Sequence, residues 1–188
     1  FPKLCEGGFY CAGNSTSGTP CPAGTWCAGG SRFPSQSPAG TWSPNRSTMP
    51  KLCPIGMYAY ENMTLDRTSI AVACTPCPRG TFGADPRRLS CGVCFSGYLC
   101  YGNTTRGDPQ NVSVDRGEVC PAGSYASNGS YAPSQCPAGT FNPDAGQASI
   151  QACATCPRNS FNDLAGQPSC LPCGGSAVST EDSLACQC

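Results

Sequence analysis

The hexapeptide CPAGTF at positions 136–141 recurs as CPAGTW at 21–26 and as CPAGSY at 120–125. Looser copies begin at Cys5, Cys53, Cys77, Cys94 and Cys156, and SPAGTW at Ser37 keeps everything but the cysteine. The first four copies are 16 residues apart, and longer units of 24 and 20 residues begin at Cys53 and Cys136. Self-similarity at such periods is typical of repeat proteins, so the chain is predicted to be an array of small modules.

The composition shows what must hold these modules together. Leu, Ile, Val and Phe make up only 24 of the 188 residues, which is too few for an ordinary hydrophobic core. The 18 cysteines compensate, because a density near one residue in ten is typical of secreted scaffolds in which crosslinks replace apolar burial. The chain is therefore predicted to be disulfide-rich and folded rather than disordered.

Each repeat predicts a short β-hairpin. Proline after the opening cysteine fixes φ, the glycine takes a turn conformation, and the Thr-aromatic pair extends into a strand. With 23 Gly and 19 Pro, no window favours a long helix, and residues 62–73 predict at most one helical turn. The predicted fold class is thus small and disulfide-rich, an elongated tandem array of short β-hairpin modules with little or no helix. The sixth-position aromatics are expected to pack on a disulfide of their own or the next module: Trp26, Trp42, Tyr58, Phe82, Tyr125, Phe141 and Phe161.

The repeats divide the chain into three predicted segments. Residues 1–52 carry compact 16-residue repeats, 53–119 carry CxxC-linked repeats plus a loop, and 120–188 carry CxxC-linked repeats again. The stretches 28–50 and 101–119 hold no cysteine and are expected to be exposed loops or hinges.

Six N-x-S/T sequons predict covalent N-linked glycans and, with the cysteines, an extracellular or cell-surface location. They begin at Asn14, Asn45, Asn62, Asn103, Asn111 and Asn128. Some of them serve equally well as turn-forming asparagines.

The order C-P-x-G-T-aromatic, a glycine-containing spacer and then C-x-x-C-P-x-G resembles the ephrin-receptor-like cysteine-rich repeat, a relative of growth-factor-receptor and TNF-receptor modules. Residues 53–94 and 136–173 carry the pattern best. The N-terminal part resembles the compact variant found in large surface proteins of protists and algae, including mastigoneme proteins. The chain departs from the pattern at Ser37 and at Cys173, which is followed by glycine.

This resemblance implies that an opening cysteine bonds to the first cysteine of the following CxxC. The implied pairs are Cys53 with Cys74, Cys77 with Cys91, Cys136 with Cys153, Cys156 with Cys170, and Cys173 with Cys186. The remaining eight are not assigned by the sequence, and the first four of them form a local set expected to pair in a nested or alternating manner: Cys5, Cys11, Cys21, Cys27, Cys94, Cys100, Cys120 and Cys188.

Other chemistry is disfavoured by the residues. Zinc or redox roles for CxxC need reduced thiols or a thioredoxin-like helix, which the sequons and the Pro- and Gly-rich flanks oppose. The absence of histidine excludes Ser-His-Asp and Cys-His catalysis, so no enzyme, catalytic residue, cofactor or metal site is predicted. Asp144 and Asp163 could suggest calcium, but Asx turns are the better interpretation. Trp26 and Trp42 could contact a partner, although packing within the repeat is favoured.

Zero formal net charge leaves no basic stripe for nucleic acid, and the longest apolar run, residues 70–73, is too short for membrane insertion in this segment. The leading hypothesis is an extracellular N-glycosylated structural module, the building block of a surface filament, coat or stalk. It would self-associate into a polymer or bind other extracellular proteins. The alternative is a ligand-binding or spacer segment of a receptor ectodomain.

Overall fold

The computed structural model describes residues 5–13, 15, 17–59, 66–87 and 89–187. Within these residues every repeat forms one two-stranded antiparallel hairpin, ten in all, and no sheet has a third strand. The prediction of a small disulfide-rich fold made of tandem hairpins is confirmed. A module is defined here as the stretch from one opening residue to the residue before the next: 5–20, 21–36, 37–52, 53–76, 77–93, 94–119, 120–135, 136–155, 156–172 and 173–188.

The strands are very short. They pair as β1 Phe9–Tyr10 with β2 Thr19–Pro20, β3 Thr25–Trp26 with β4 Ser35–Gln36, β5 Thr41–Trp42 with β6 Lys51–Leu52, β7 Met57–Tyr58 with β8 Thr75–Pro76, β9 Thr81–Phe82 with β10 Gly92–Val93, β11 Tyr98–Cys100 with β12 Gly117–Val119, β13 Ser124–Tyr125 with β14 Ser134–Gln135, β15 Thr140–Phe141 with β16 Ala154–Thr155, β17 Ser160–Phe161 with β18 Leu171–Pro172, and β19 Val178–Ser179 with β20 Cys186–Gln187. In most modules the fifth position lies opposite the last residue, as Thr25 lies opposite Gln36.

Helix is confined to single turns. The described residues contain α1 Ile70–Ala73, α2 Val112–Asp115 and a 3-10 turn Ile150–Ala152. The single turn expected within 62–73 is thus α1, while residues 62–65 lie outside the described part of the chain.

The hexapeptide folds each turn through its own main chain. Pro22 O accepts hydrogen bonds from both the amide and the hydroxyl of Thr25, at 3.1 and 2.7 Å. The same pair of bonds recurs between Thr140 and Pro137. Threonine is favoured at the fifth position because its hydroxyl closes this turn while its β-branched side chain suits the strand.

Apolar burial is limited to small clusters. In one, the Cys53–Cys74 disulfide packs with Ala59 and Ala73, and the partly buried Trp42 of the preceding module lies against it. In another, Leu99, Cys120 and Ala126 pack together. The expectation that an aromatic packs on the disulfide of the next module is met by Trp42.

The contacts divide the chain into two compact regions. One comprises Phe1–Cys77 and Gly83–Cys91, and the other Pro78–Phe82 and Gly92–Cys188. The boundary passes through module 77–93. The three segments 1–52, 53–119 and 120–188 remain a prediction from repeat type.

The two cysteine-free stretches are not the simple exposed loops that composition predicts. Within 28–50, Ser37, Thr41 and Ser43 are buried and belong to a complete hairpin module. Within 101–119, α2 and β12 form, and Thr104 is fully buried. The repeat pattern, which continues through both stretches, is a better guide than the lack of cysteine.

Candidate functional site

Neighbouring modules are joined by a repeated set of main-chain hydrogen bonds. The opening residue of one module donates to the fourth residue of the module before it, as Cys136 N does to Gly123 O at 2.9 Å. The amide of that glycine donates to the seventh residue of the next module, as Gly123 N does to Asn142 O at 2.7 Å. The first bond recurs nine times within the described residues and the second seven times. Donors of the first are Cys21, Ser37, Cys53, Cys77, Cys94, Cys120, Cys136, Cys156 and Cys173.

Glycine is favoured at the fourth position for two reasons, although Asn159 occupies that position with φ 63° in module 156–172. Gly123 has φ 79°, a left-handed conformation that side chains disfavour. A Cβ at Gly123 would also lie 2.1 Å from Gly166 O, which belongs to the module after next. Gly139 approaches Asp182 O in the same way, at 2.3 Å. At these positions the turn glycine therefore allows the main chain of a module two further along to approach closely.

Two buried asparagines reinforce these contacts in the C-terminal half. Asn142 donates through Nδ2 to Ser124 O of the preceding module at 2.9 Å, and Asn162 donates to Thr140 O at 3.0 Å. Both side chains are fully buried. An Asx turn forms here, but its side chain is that of Asn142 and not the expected Asp144: Asn142 Oδ1 accepts from Asp144 N.

The eight described disulfides follow two patterns. Five join the opening cysteine to the third residue from the end of the same module: Cys53–Cys74, Cys77–Cys91, Cys136–Cys153, Cys156–Cys170 and Cys173–Cys186. These are the five pairs that the resemblance implies.

Three other bonds join the first and seventh positions: Cys5–Cys11, Cys21–Cys27 and Cys94–Cys100. Neither the nested nor the alternating arrangement expected for the first four cysteines forms. The hexapeptide turn brings positions one and seven to a Cα distance of 6.0 Å, so each compact hairpin closes on itself. The recurring spacing C-x5-C was the signal available in the sequence.

Module 37–52 replaces this short bond with a hydrogen bond. Ser37 and Ser43 occupy the first and seventh positions, and their hydroxyls lie 2.7 Å apart. Both side chains are buried, with 5% and 0% exposure. A polar contact therefore stands where neighbouring modules have sulfur, and it leaves neither buried hydroxyl without a partner.

Module 120–135 has a cysteine but no partner for it. Cys120 is a free thiol with no exposed surface. Ala126 and Pro133 occupy the two positions from which a partner comes in other modules. Burial, followed by the nearby charge of Glu118, raises the pKa of the Cys120 thiol. Cys188, the last of the cysteines left unassigned, lies outside the described residues.

Four of the six sequons lie in the described part of the chain. Asn45, Asn111 and Asn128 are exposed. Asn111 caps α2 through Oδ1, which accepts from the amides of Ser113 and Val114 and leaves Nδ2 available for a glycan. Asn103 differs: it is half-buried at φ 55°, and its Oδ1 is buried with no hydrogen-bond partner among the described residues. Asn14 and Asn62 lie outside the described residues.

Residues 101–119, here called the insertion, are held together by hydrogen bonds to one carboxylate. Asp115 accepts from the amides of Gln110 and Asn111 at 2.9 and 3.2 Å and from the Thr105 hydroxyl at 3.2 Å. The Gln110 amide contributes most to holding the pKa of Asp115 below its usual range. An exposed ion pair, Arg106 with Asp108, lies beside it at 2.9 Å.

Neither tryptophan is a fully exposed side chain that is free to bind a partner. Trp26 and Trp42 are half-buried, and Lys51 Nζ lies 5.1 Å from the Trp42 ring centre.

A groove of about 470 Å³ between the last two modules is bordered by the exposed Arg158 and Glu181. Within the described residues no cluster of His, Cys, Asp or Glu is arranged to hold a metal. The described part of the chain also contains no helix with the length and apolar character to cross a bilayer.

Together, the hairpins, the bonds within modules and the contacts between modules define a disulfide-rich, cysteine-rich repeat module of the extracellular type. No protein-family model matches the chain. The chain is similar to the "Signal peptide, CUB and EGF-like domain-containing protein 2" of Danio rerio, with 32% identity over 85 residues. The match takes in 44% of this chain and only 8% of the length of the zebrafish protein. This likeness agrees with a cysteine-rich repeat and does not single out the ephrin-receptor-like family.

Proposed function

We propose that this chain is an extracellular, N-glycosylated structural module of the ephrin-receptor-like type that forms part of a surface filament, coat or stalk. The observation that carries the proposal is the repeated intermodule contact, in which nine opening residues donate to the preceding module. Such an array grows by adding copies of one interface, which suits a structural element. The lack of histidine and the scatter of the carboxylates along the sequence support a role without catalysis.

Self-association or binding to another extracellular protein is supported by exposed apolar side chains in equivalent positions. Phe33 and Met49 occupy the thirteenth position of successive 16-residue modules and are 71% and 67% exposed. Exposed apolar groups that recur at one position of successive modules are suited to contact a neighbouring chain. Replacing both with serine should reduce any concentration-dependent association in sedimentation velocity.

The glycan part of the proposal is tested by peptide mapping. We expect N-linked glycans at the exposed Asn45, Asn111 and Asn128 and lower occupancy at the half-buried Asn103. Enzymatic release in heavy-oxygen water marks each occupied asparagine by a mass shift. Full occupancy at Asn103 with none at the exposed three would contradict this order.

The alternative role is a ligand-binding or spacer segment of a receptor ectodomain. It is favoured by the zebrafish relative, in which the matching stretch is a small part of a much longer protein. Immunogold electron microscopy on cells that produce the protein separates the two. Label along filaments or across a coat supports the structural role. Label at separate sites on the plasma membrane, as expected for dispersed receptors, supports the alternative.

A further inference from the structure

All eight described disulfides lie inside single modules, and none of them joins two modules. The described contacts between modules are non-covalent, and they include main-chain hydrogen bonds, side-chain hydrogen bonds such as those of the two buried asparagines, and the packing of Trp42 on the next module. A chain pulled along its length can therefore lose its intermodule contacts without breaking a covalent bond. The disulfides then limit the length of chain that each module can release, that is, the length that can become extended.

In five modules the disulfide joins the opening cysteine to the third residue from the end. Almost the whole module therefore lies inside the closed loop and cannot extend. The Cys53–Cys74 bond has a sequence separation of 21, and the Cys156–Cys170 bond one of 14. Each of these modules keeps only two residues outside its bond, and the three steps from the second cysteine to the next opening cysteine correspond to roughly 10 Å of extended chain.

In the other five modules, little or none of the chain lies inside a disulfide-closed loop. A first-to-seventh bond spans six residues and leaves the rest of the hairpin outside it. Modules 37–52 and 120–135 contain no disulfide, because Ser37 and Ser43 form a hydrogen bond and Cys120 is unpaired. Each can release all 16 residues, or about 55 Å of chain.

These two kinds of module alternate in blocks. Modules that can release chain occupy 5–52 and 94–135, and modules that are locked occupy 53–93 and 136–188. We propose that the array is a limited-extension element, in which the blocks 5–52 and 94–135 lengthen under tension while the other two blocks lengthen far less. This inference rests on the proposed structural function, since it assumes that the chain bears load.

Single-molecule force spectroscopy of the oxidised full chain, held at its two ends, tests the proposal. The releasing blocks should contribute about 250 Å of contour length and the locked blocks about 50 Å. Reductant should release the remaining chain. An oxidised chain that lengthens by less than about 100 Å before the tether fails would overturn the proposal.

A disulfide introduced into module 37–52 makes the test specific. The double variant Ser37→Cys/Ser43→Cys places sulfur where the two hydroxyls already lie 2.7 Å apart. It should shorten the release by six residues, or about 20 Å, and reductant should restore the lost length in the same molecules. Unchanged extension in molecules whose new bond is verified by mass spectrometry would refute the assignment.

Cys120 provides an independent readout because it is buried in the folded module. A maleimide should label the Cys120 peptide slowly at rest and faster under load, and Ala126→Cys should abolish that labelling by forming the missing first-to-seventh bond. Equal labelling with and without load would contradict opening of module 120–135. These experiments use purified chain, so their failure would leave the proposed location and structural role to the immunogold test.

Discussion

At the scale of single residues, the turn glycines are constrained by their backbone conformation and by close main-chain contacts. Gly123 combines φ 79° with a Cβ position 2.1 Å from Gly166 O, whereas a Cβ on Gly174 would meet no atom within 4 Å. We expect Gly123→Ala to destabilise the C-terminal region by at least about 2 kcal/mol, because left-handed strain adds to a main-chain clash. Gly174→Ala should be nearly neutral. Urea unfolding of both variants checks this, and equal midpoints would contradict it.

Buried Asn142 makes a second residue-scale argument. Asn142→Ala removes the bond to Ser124 O and leaves that buried carbonyl without its side-chain donor. The expected loss is about 1–3 kcal/mol, as for other unsatisfied buried groups. Gln151 is exposed, so Gln151→Ala is the matched control. Amide exchange should also rise in module 120–135, and a loss limited to the mutated module would argue against a link between modules.

At the scale of elements, the insertion 101–119 depends on an ionised Asp115. The folded pKa of Asp115 lies below its unfolded value, so the carboxylate stabilises the insertion above the unfolded pKa. That contribution is lost as the pH falls through the folded pKa. The Gln110 and Asn111 amide resonances should therefore shift with a midpoint below that of an ordinary aspartate. Asp115→Asn should abolish the transition, and a midpoint at or above the ordinary value would refute the assignment.

How much of each element is foreseeable depends on whether its cause is local in sequence. The Thr-aromatic strands follow from the hexapeptide, and the five loop-closing bonds were implied by the resemblance of the hexapeptide and its CxxC to a known repeat. The Cys5–Cys11 bond was not foreseen, because it depends on how sharply the turn brings positions one and seven together. The buried contact of Ser37 with Ser43 was hidden for the same reason, since serine in a cysteine-free stretch resembles a loop residue.

The missing partner of Cys120 gives an element-scale prediction. Ala126 packs with Cys120 and occupies the seventh position, where Cys100 bonds to Cys94 in the preceding module. Ala126→Cys should form the bond and stabilise the region by about 2 kcal/mol, the chain-entropy value for a loop this short. Thiol counting should show the loss of the Cys120 thiol, and denaturation should shift to higher urea. A variant that keeps two free thiols in module 120–135 would contradict the equivalence of the positions.

At the scale of the whole molecule, crosslinks replace a core. The described apolar clusters hold only three or four buried residues each, and many large apolar side chains, such as Phe33 and Leu164, are exposed. Bonds spanning 6 to 21 residues contribute on the order of 2–3 kcal/mol each in the chain-entropy model, with a sum that is an upper bound. Main-chain bonds alone do not offset the entropy of ordering the chain.

Complete reduction and alkylation should therefore unfold both compact regions at 25 °C without denaturant, whereas the oxidised chain should withstand several molar urea. Amide exchange reports this directly, because the amides of Cys21 and Cys136 donate across module boundaries and should be protected only when the bonds are intact. Alkylation in urea without reductant, which modifies only unpaired thiols such as Cys120, is the control for an adduct at that position. Protected amides in the fully reduced chain would show that the intermodule hydrogen bonds suffice, and the role assigned to the disulfides would have to be abandoned.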